Sequence, residues 1–487
     1  MSMDVESFRK AGYQAIDSIC DFHYNLHNHN VFSAVEPGYL RKALPDHAPE
    51  HGEHFQDITE DYQKHIIPGL TIWQHPSFFA YFPTPGTLEA TLGDLVASSI
   101  SNPGFNWDSS PASTELEALV MDWSAKLFGL DKAFYNENNT GGGVIQTTAS
   151  ESALVMVVAA RSRYTRTYPG TDLNKLVIYV TTQTHSLGVK AALILGLRVR
   201  VIDVHLKDGL SLRGCALQQA YEEDKEAGLH PFILIATVGT TSSGAIDNIP
   251  EIFTVARNFP SFWVHIDAAW AGVALSCPEH RDICHLDEIN RFADSFCTNF
   301  HKWGLVNHDC SALWVRDRKC LIDALDITPE FLKTKEGEQG TVIDYRNWHL
   351  GLSRRFRSLK LWFVLRCYGA EGFREHIRKG IRLNDRFATL VGSSKELALV
   401  TAPSFSLSVF CVRAPEGVTV SQNELTLDLH TRLSARKDIA ITKTYLNDIL
   451  CIRFAVGAAR TEEKHIDAAF ELITSEARQL LASISSV

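Results

Sequence analysis

The chain has 487 residues, which is too long for one compact core, so two or three structural units are expected. Hydrophobic residues make up 45% and charged residues 21%, as in an ordinary globular enzyme. The net charge of −10 describes a surface that repels nucleic acid phosphates and anionic membranes, and it excludes both as expected partners.

The ten cysteines are scattered without a CxxC spacing, and reduced thiols are the simplest interpretation. Cys277, Cys284 and His285 lie close together, but their spacing fits no closed zinc site, so no metal is expected. The N-terminal residues lack the basic and apolar regions of a signal peptide, and no apolar run approaches the roughly 18 residues of a membrane span. We therefore expect a cytoplasmic protein without a membrane helix.

The first predicted element is a helix over residues 4–27, where apolar residues recur at helical spacing. Such an arm cannot bury its apolar face by itself, so we expect it to pack on a second subunit. Residues 68–87 are rich in aromatic residues and proline, which predicts an irregular segment that lines a pocket. A helix is predicted over residues 114–128, with Thr114 as its N-cap.

From about residue 150 to residue 316, short apolar strands alternate with helices. The candidate strands are 176–180, 198–204, 232–238, 263–267, 295–298 and 312–315. The helical stretches between them are 151–163, 186–195, 214–227 and 250–258. This alternation predicts an α/β fold with a mainly parallel sheet covered by helices on both faces. Ligands of such sheets bind beyond the C-terminal ends of the strands.

Residues 326–344 predict a long charged loop, and such loops inside enzymes are usually functional or mobile. Helices at 345–367 and 371–390 follow, and the remainder mixes strands with helices as in a smaller α+β domain. We therefore expect three units, divided as follows: an N-terminal dimerisation arm over 1–85, a large ligand-binding domain over 86–370 and a small C-terminal domain over 371–487.

Two residues at strand ends carry the chemical prediction. Lys302 lies in the run NFHKW after a predicted strand, where partial desolvation would lower its pKa and make it a Schiff-base nucleophile. Asp267 ends the apolar strand 263–267, and a carboxylate there is costly unless it pairs with a cation such as a protonated pyridine nitrogen. This pair of residues is what a pyridoxal-phosphate electron sink requires. The alternatives are a surface lysine and a helix N-cap aspartate.

Two further segments lie at the same predicted sheet edge. The glycine run 141–143 leads to Ser150, a plausible N-cap of a helix whose free backbone N–H groups would favour a phosphate. His185 follows strand 176–180, where it would either stack on a ring or cap a helix. Neither segment is specific by itself.

These segments occur together with FAYFP at 79–83, SPASTELE at 110–117, GGGVIQ at 141–146, ATVGTT at 236–241 and RRFRSLK at 354–360. In this combination the chain resembles the group II pyridoxal-phosphate decarboxylases, specifically the aromatic L-amino acid decarboxylases, from about Phe8 to Ala477. The resemblance implies a fold type I homodimer that binds pyridoxal 5'-phosphate in its large domain and acts on an aromatic amino acid.

The resemblance also implies roles at matching positions. Lys302 would bind the cofactor, Asp267 would hold the pyridine nitrogen, and His185 would stack on the ring. The other implied cofactor contacts are Ala149, Ser150, Thr241, Asn299 and His301. The implied walls of the aromatic pocket are Trp73, Tyr81, Phe82, Pro83 and Phe105. Of these, Phe105 would reach across the dimer interface.

Three positions depart from the family pattern or vary within it. Phe331 stands in the loop where the family usually has a tyrosine, and His308 stands where phenylalanine is common. Ser353 occupies a position with glycine or serine, and serine there goes with phenolic substrates in plant relatives. We therefore assign His308 and Ser353 to the substrate pocket and expect a phenyl or phenolic substrate.

A tyrosine hydroxyl in the loop would protonate Cα after decarboxylation, and Phe331 has no such proton. We expect O2 to react instead and to give an arylacetaldehyde, CO2, ammonia and hydrogen peroxide. A simple decarboxylase that forms the arylalkylamine is the alternative. Two other classes stay open at this point: an aminotransferase, which would need an arginine for the α-carboxylate, and a catalytically inactive binding protein.

Overall fold

A seven-stranded sheet forms the centre of the computed structural model, which describes residues 3–415 and 419–484. Its strands are β1 Gly142–Gln146, β2 Leu176–Thr181, β3 Arg198–Ile202, β4 His230–Thr237, β5 Trp263–Asp267, β6 Ser295–Asn299 and β7 Ser311–Val315. The spatial order is β1-β7-β6-β5-β4-β2-β3. Strands β3, β2, β4, β5 and β6 pair in parallel, while β7 is antiparallel to both β6 and β1. The predicted mainly parallel α/β fold is confirmed.

Sixteen α-helices accompany the sheets in the described residues. They are α1 Val5–Tyr24, α2 Tyr39–Ala43, α3 Phe55–Asp61, α4 Leu88–Ile100, α5 Pro111–Phe128, α6 Ala149–Thr167, α7 Leu187–Leu195, α8 Gly214–Glu226, α9 Ile249–Ala256, α10 Leu286–Phe292, α11 Phe300–Trp303, α12 Lys319–Leu325, α13 Lys335–Glu338, α14 Arg357–Ser393, α15 Gln422–Ala435 and α16 Glu463–Ile484.

Strand β2 shows why both faces of the sheet are apolar. Val177 and Tyr179 point into one hydrophobic core, which also contains residues of α5, α8 and α9. Ile178 and Val180 point into a second core, which contains residues of α6, α7 and α12. Successive side chains of a strand face opposite sides, so a strand between two helix layers must be apolar at every position.

Two predicted helix starts are wrong. Helix α5 begins at Pro111 with Ser110 as its N-cap, and Thr114 lies inside the helix, where its hydroxyl donates to the Ser110 carbonyl at 3.0 Å. Helix α6 begins at Ala149, and its N-cap is Thr148 rather than Ser150. In both cases a hydroxyl residue a few positions upstream occupies the cap, and single-residue patterns do not distinguish such neighbours.

The glycine run at 141–143 leads into strand β1, which the sequence analysis did not predict. A Cβ atom at Gly143 would lie 2.6 Å from the Trp314 indole nitrogen of β7, so only glycine permits this close pairing. The strand escapes sequence prediction because glycine has low β propensity and carries no alternating side chain.

The second sheet lies in the C-terminal part of the chain. It consists of β8 Leu397–Leu399, β9 Leu407–Val412, β10 Thr442–Leu446 and β11 Ile449–Ala455, in the order β10-β11-β9-β8 with all pairs antiparallel. Helix α14 leads into it and kinks at Gly369, one residue before the predicted domain boundary. The two helices predicted at 345–367 and 371–390 correspond to the two segments of α14 on either side of Gly369, whose φ of 61° and ψ of 179° are not helical. Only the predicted start of the first is wrong, because α14 begins at Arg357 and residues 345–348 form a 3₁₀ turn. The division into three domains stays a prediction.

The N-terminal helices carry apolar side chains that the chain itself does not cover. On α1, Val5, Phe8 and Tyr13 are all more than 60% exposed. On α4, a second group of apolar side chains is exposed: Leu88, Leu92, Leu95, Val96 and Ile100. Contiguous apolar surface of this kind marks an interaction site. Within the described residues, no helix is both long and apolar enough to span a membrane.

Candidate active site

A cavity opens at the C-terminal edge of the seven-stranded sheet, beyond the ends of β2, β4, β5 and β6. Every residue predicted to contact the cofactor lines it: Ala149, Ser150, His185, Thr241, Asp267, Asn299, His301 and Lys302. They come together because each follows or ends a strand, or begins a helix, at the same edge of a parallel sheet. The cavity also includes Trp270, which the sequence analysis did not select.

Lys302 reaches the cavity from the short helix α11, which directly follows β6. Its Nζ atom lies 5.5 Å from the centroid of the Phe82 ring. Burial lowers the pKa of the Lys302 ammonium, and the nearby carboxylate of Asp267 acts in the opposite direction. A lowered pKa leaves more of the amine neutral, which is the nucleophilic form.

Asp267 is the last residue of β5 and is 3% exposed. Its Oδ1 atom accepts the Ala269 N–H at 3.0 Å. This hydrogen bond stabilises the turn after the strand, as the side chain of a helix N-cap stabilises the first turn of a helix. Among the described residues, the carboxylate forms no ion pair, and Oδ2 receives no hydrogen bond. A buried carboxylate with an unused oxygen suits a cationic group bound in the cavity.

The N-terminus of α6 lines part of the cavity through Thr148, Ala149 and Ser150. Thr148 accepts the Glu151 N–H at 3.2 Å, while the N–H groups of Ala149 and Ser150 have no acceptor in the part of the chain that the structure describes. Free N–H groups and the helix dipole together favour an anion such as phosphate.

His301 adds a neutral donor to the cavity. Its Nδ1 atom accepts the Cys310 N–H at 2.9 Å, which assigns the proton of the neutral ring to Nε2. Burial lowers the pKa of His301 to about 3, so the ring is neutral at physiological pH. The side-chain oxygen of Asn299 is buried nearby and has no partner among residues 3–415 and 419–484.

His185 lies between β2 and α7. Its Nδ1 atom accepts the Leu187 N–H at 3.2 Å, which leaves Nε2 as the proton-bearing nitrogen of the neutral ring. Burial lowers the pKa of His185, and the positive charge of Lys302 lowers it further. The helix-capping alternative is therefore seen in the structure, and it leaves Nε2 free to act on a bound ligand.

Part of the predicted aromatic pocket adjoins the cavity. Phe82 is buried and stacks on Trp270 with ring centroids 4.4 Å apart, and Tyr81 stacks on Trp73 at 5.3 Å. Pro83, which follows Phe82 in the chain, is also buried. This pocket wall therefore reaches the cavity through the ring of Phe82.

Arg453 of β11 is a contact that sequence reasoning missed. It is buried, forms no ion pair with the described residues, donates from Nη2 to the Tyr81 carbonyl at 3.1 Å, and lies 5.0 Å from the Phe82 ring centroid. Burial lowers the pKa of the Arg453 guanidinium to about 10. The only signal in the sequence is an arginine inside the apolar strand ILCIRFA.

Besides the aromatic wall at 73–83, four further predicted site residues do not line the cavity of their own chain. Phe331 is 81% exposed, Phe105 is half-buried, and Ser353 is exposed and lines a separate cavity between α4 and the start of α14. His308 is exposed, although its ring centroid lies 4.5 Å from that of His301. One chain alone therefore does not assemble the whole predicted site.

Comparison with known proteins shows extensive similarity. The chain matches the pyridoxal-dependent decarboxylase conserved domain over residues 37–413. It is 41% identical to tryptophan decarboxylase 2 of Oryza sativa subsp. japonica, over 99% of this chain and 97% of that protein. It is 42% identical to phenylacetaldehyde synthase of Arabidopsis thaliana, over 98% of this chain and 97% of that protein. The crystal structure of Oryza sativa TDC with PLP and tryptamine superposes with a TM-score of 0.95 at 36% identity, covering 99% of each chain.

Proposed function

The chain belongs to the pyridoxal-dependent decarboxylases, in the group of aromatic amino acid decarboxylases and aldehyde synthases, and on this premise we propose that it converts a phenyl or phenolic L-amino acid into an arylacetaldehyde. The enzyme is a carboxy-lyase, its cofactor is pyridoxal phosphate, and its substrates are aromatic amino acids. The aldehyde product and the choice among aromatic substrates are the proposed part.

The residues of the cavity fit the cofactor. Lys302 would bind it covalently, and the unused Oδ2 of Asp267 would hold the ring nitrogen. At the other end, the N–H groups of Ala149 and Ser150, together with His301 Nε2, would bind the phosphate. Asn299 and Thr241 would complete the contacts, and His185 would lie against the ring. When bound, pyridoxal phosphate supplies an electron sink for the electron pair left at Cα when CO2 departs.

The observation that carries the aldehyde proposal is the absence of a phenolic hydroxyl in the loop at 326–344. Phe331 occupies the position of the family's tyrosine, and no tyrosine occurs between Leu321 and Asp344. The next tyrosine, Tyr345, is buried, and its hydroxyl already donates to the Gly143 carbonyl at 3.1 Å. The loop therefore offers no phenolic proton to Cα.

Without that proton, O2 takes up the electrons that decarboxylation leaves at Cα. Two electrons and two protons reduce O2 to hydrogen peroxide, the carbon that bears the amine is oxidised by the same two electrons, and water then cleaves the C–N bond. The balance is one amino acid, one O2 and one water to one arylacetaldehyde, one CO2, one ammonia and one hydrogen peroxide. The chain's own contribution is that Phe331 has no hydroxyl with which to protonate Cα after CO2 departs.

Phe331→Tyr is expected to shift the product from the arylacetaldehyde to the arylalkylamine, because the hydroxyl restores a proton donor for Cα. Amine, aldehyde and peroxide are quantified in air-saturated buffer with tyrosine, DOPA, phenylalanine and tryptophan. The expected result is a product change of about tenfold or more in the amine-to-aldehyde ratio, since general acid catalysis contributes at least that much.

Phe331→Leu is the matched control, since leucine is also apolar and carries no proton. It should keep the aldehyde product and the release of peroxide. If the unmodified enzyme forms only the amine and no peroxide, the proposal is wrong, and the amine-forming decarboxylase is the function of this chain.

Ser353 supports the preference for phenyl and phenolic substrates. In the resemblance it lies at the pocket wall, where serine is larger than glycine and offers a hydroxyl to a phenol, so it would crowd a bicyclic indole. In this chain it is exposed and lines a cavity beside α4, outside the cavity around Lys302. A second subunit docked there would bring Ser353 to its active site.

Ser353→Gly is expected to raise kcat/KM for tryptophan relative to tyrosine by about tenfold, which corresponds to about 1.4 kcal/mol of discrimination. Steady-state kinetics with both substrates measures the ratio. Ser353→Ala keeps the Cβ atom but removes the hydroxyl, so it separates the effect of size from that of hydrogen bonding. A higher kcat/KM on tryptophan than on every phenyl substrate in the unmodified enzyme would contradict the substrate proposal.

We also propose a homodimer, with the apolar faces of α1 and α4 as part of the interface. These faces are exposed in the single chain, and a second chain packed on them would explain why Phe105, Phe331 and Ser353 lie outside the cavity of their own chain. The expected mass in sedimentation is that of two chains. The cytoplasmic location stays a prediction.

A further inference from the structure

The loop at 326–344 is held by few buried contacts. Ile327 and Phe331 are more than 80% exposed, while Leu332 is buried. Beneath the loop lies a cavity of about 440 Å³, which α12 and the loop residues line together. Packing against the rest of the chain therefore leaves the position of the loop underdetermined, since an open cavity provides no van der Waals contacts.

Polar contacts to one buried side chain hold both ends of the loop. Arg346 is 7% exposed; its Nη1 atom donates to Asp344 Oδ2 at 3.0 Å and its Nη2 atom donates to Thr328 Oγ1 at 3.1 Å. Thr328 lies near the start of the loop and Asp344 at its end. We refer to Arg346, Asp344 and Thr328 as the Arg346 clamp.

The middle of the loop also touches the clamp. A Cβ atom at Gly337, in α13, would lie 2.9 Å from Asp344 Oδ2, so this turn packs directly on the carboxylate that Arg346 holds. A side chain at this position would push the turn away from Asp344. The loop thus contacts the Arg346–Asp344 ion pair at its start, in its middle and at its end.

The same clamp is bonded to the segment that carries Phe105. Asp344 Oδ1 accepts the Trp107 N–H at 3.3 Å, and the Arg346 backbone N–H donates to the Phe105 carbonyl at 3.2 Å. A buried ion pair with several additional hydrogen bonds is strongly coupled, and removal of one partner disturbs the groups it held. A shift of the loop would therefore also shift the segment that carries Phe105, because both are bonded to Asp344 and Arg346.

We propose that Arg346 is a positioning residue that fixes the loop bearing Phe331 and aligns it with the pocket residue Phe105. The inference rests on the proposed function in one respect, that this loop acts in the chemical step. Arg346 itself lines the cavity under the loop and not the cavity around Lys302, so it acts through Thr328 and Asp344.

The test combines loop cleavage with kinetics in the holoenzyme. Arg346→Met is expected to increase the rate of trypsin cleavage after Lys333 or Lys335 by about tenfold, because cleavage follows local opening. N-terminal sequencing identifies these cuts by new ends at Thr334 and Glu336. In the same variant kcat should fall by about tenfold, while KM changes by less than about threefold, because the backbone bond to Phe105 remains.

Two further variants make the result decisive. Thr328→Val removes the bond from Arg346, together with the bond that Thr328 donates to Asp326, at nearly constant volume, and should give a smaller increase in cleavage at the same sites. Arg163→Met is the matched control, because Arg163 forms an ion pair of 2.7 Å with Asp294 away from the loop, and it should leave loop cleavage and the kcat-to-KM pattern unchanged.

Wild-type rates of loop cleavage in both Arg346→Met and Thr328→Val would overturn the proposal, and Thr328→Val alone decides if Arg346→Met fails to fold. An increase in cleavage without any decrease in kcat would also overturn it. These readouts are separate from the product. If the enzyme forms only the amine, the aldehyde proposal fails while the cleavage and kinetic results still decide the role of Arg346.

Discussion

Lys302→Ala is expected to abolish turnover and the covalent attachment of the cofactor. The lysine amine is the group that would bond to the carbonyl carbon of pyridoxal phosphate and that later returns to it, so alanine removes both steps. Losses for removal of such a nucleophile are on the order of 10⁴-fold or more in kcat. Activity assays, visible absorbance and borohydride reduction followed by peptide mass spectrometry measure the result.

Lys379→Ala is a suitable control, because Lys379 is a partly buried lysine that donates to the Ala459 carbonyl at 3.1 Å, far along the chain from the cavity residues. It should keep the cofactor on Lys302 after reduction. A Lys302→Ala protein that still turns over, with the cofactor fixed to a different lysine, would refute the assignment.

The parallel core of the fold was predictable because its signal is local. Strands β2, β4, β5 and β6 are short apolar runs separated by helices of ordinary length, and such runs are buried on both faces. Lys302, Asp267 and His185 followed from the same pattern, since a polar residue at the end of a buried parallel strand lies at the C-terminal sheet edge. Four further cavity residues came from the family resemblance: Ala149, Thr241, Asn299 and His301. Lys302 and Asp267 were predicted in this way, and their chemical roles stay predictions.

Contacts between distant segments were not predictable from local pattern. Arg453 meets the Tyr81 carbonyl across 372 positions of the chain, and nothing in either segment indicates the other. The buried ion pair of Arg354 with Glu117, with distances of 2.6 and 2.9 Å, joins α5 to the segment before α14 in the same manner. Such pairs depend on tertiary packing and carry no periodicity.

Phe105, Phe331 and Ser353 show a second limit of prediction from sequence, which concerns the subunit that a residue serves. The resemblance implies that they belong to the active site, yet all three lie outside the cavity of their own chain. A sequence pattern does not state whether a residue serves its own subunit or a neighbouring one. The exposed apolar faces of α1 and α4 are the structural reason for proposing that a second chain completes the site.

Asp267→Asn is expected to reduce kcat by roughly 10²-fold or more, equivalent to about 3 kcal/mol in the barrier. The buried carboxylate of Asp267 would hold a proton on the ring nitrogen of the cofactor, and the charged ring would then accept electrons from Cα more readily. The neutral amide does not stabilise the charged nitrogen. The substitution preserves the local fold, since the asparagine oxygen still accepts the Ala269 N–H that Asp267 Oδ1 accepts at 3.0 Å.

Because Asp267→Asn keeps the hydrogen bond from Ala269, its effect on catalysis can be measured separately from any effect on the stability of the fold. Asp267→Asn should keep a thermal unfolding midpoint near that of the unmodified enzyme, while the absorbance of the bound cofactor shifts and kcat falls. Asp122→Asn is the matched control: Asp122 is a buried carboxylate that accepts the N–H groups of Asn136 and Glu137 at 2.7 and 3.1 Å, so its loss should lower stability and leave the cofactor absorbance unchanged. A kcat of Asp267→Asn within about threefold of the unmodified value would mean that another group holds the ring-nitrogen proton, because a preorganised charge contributes far more than that.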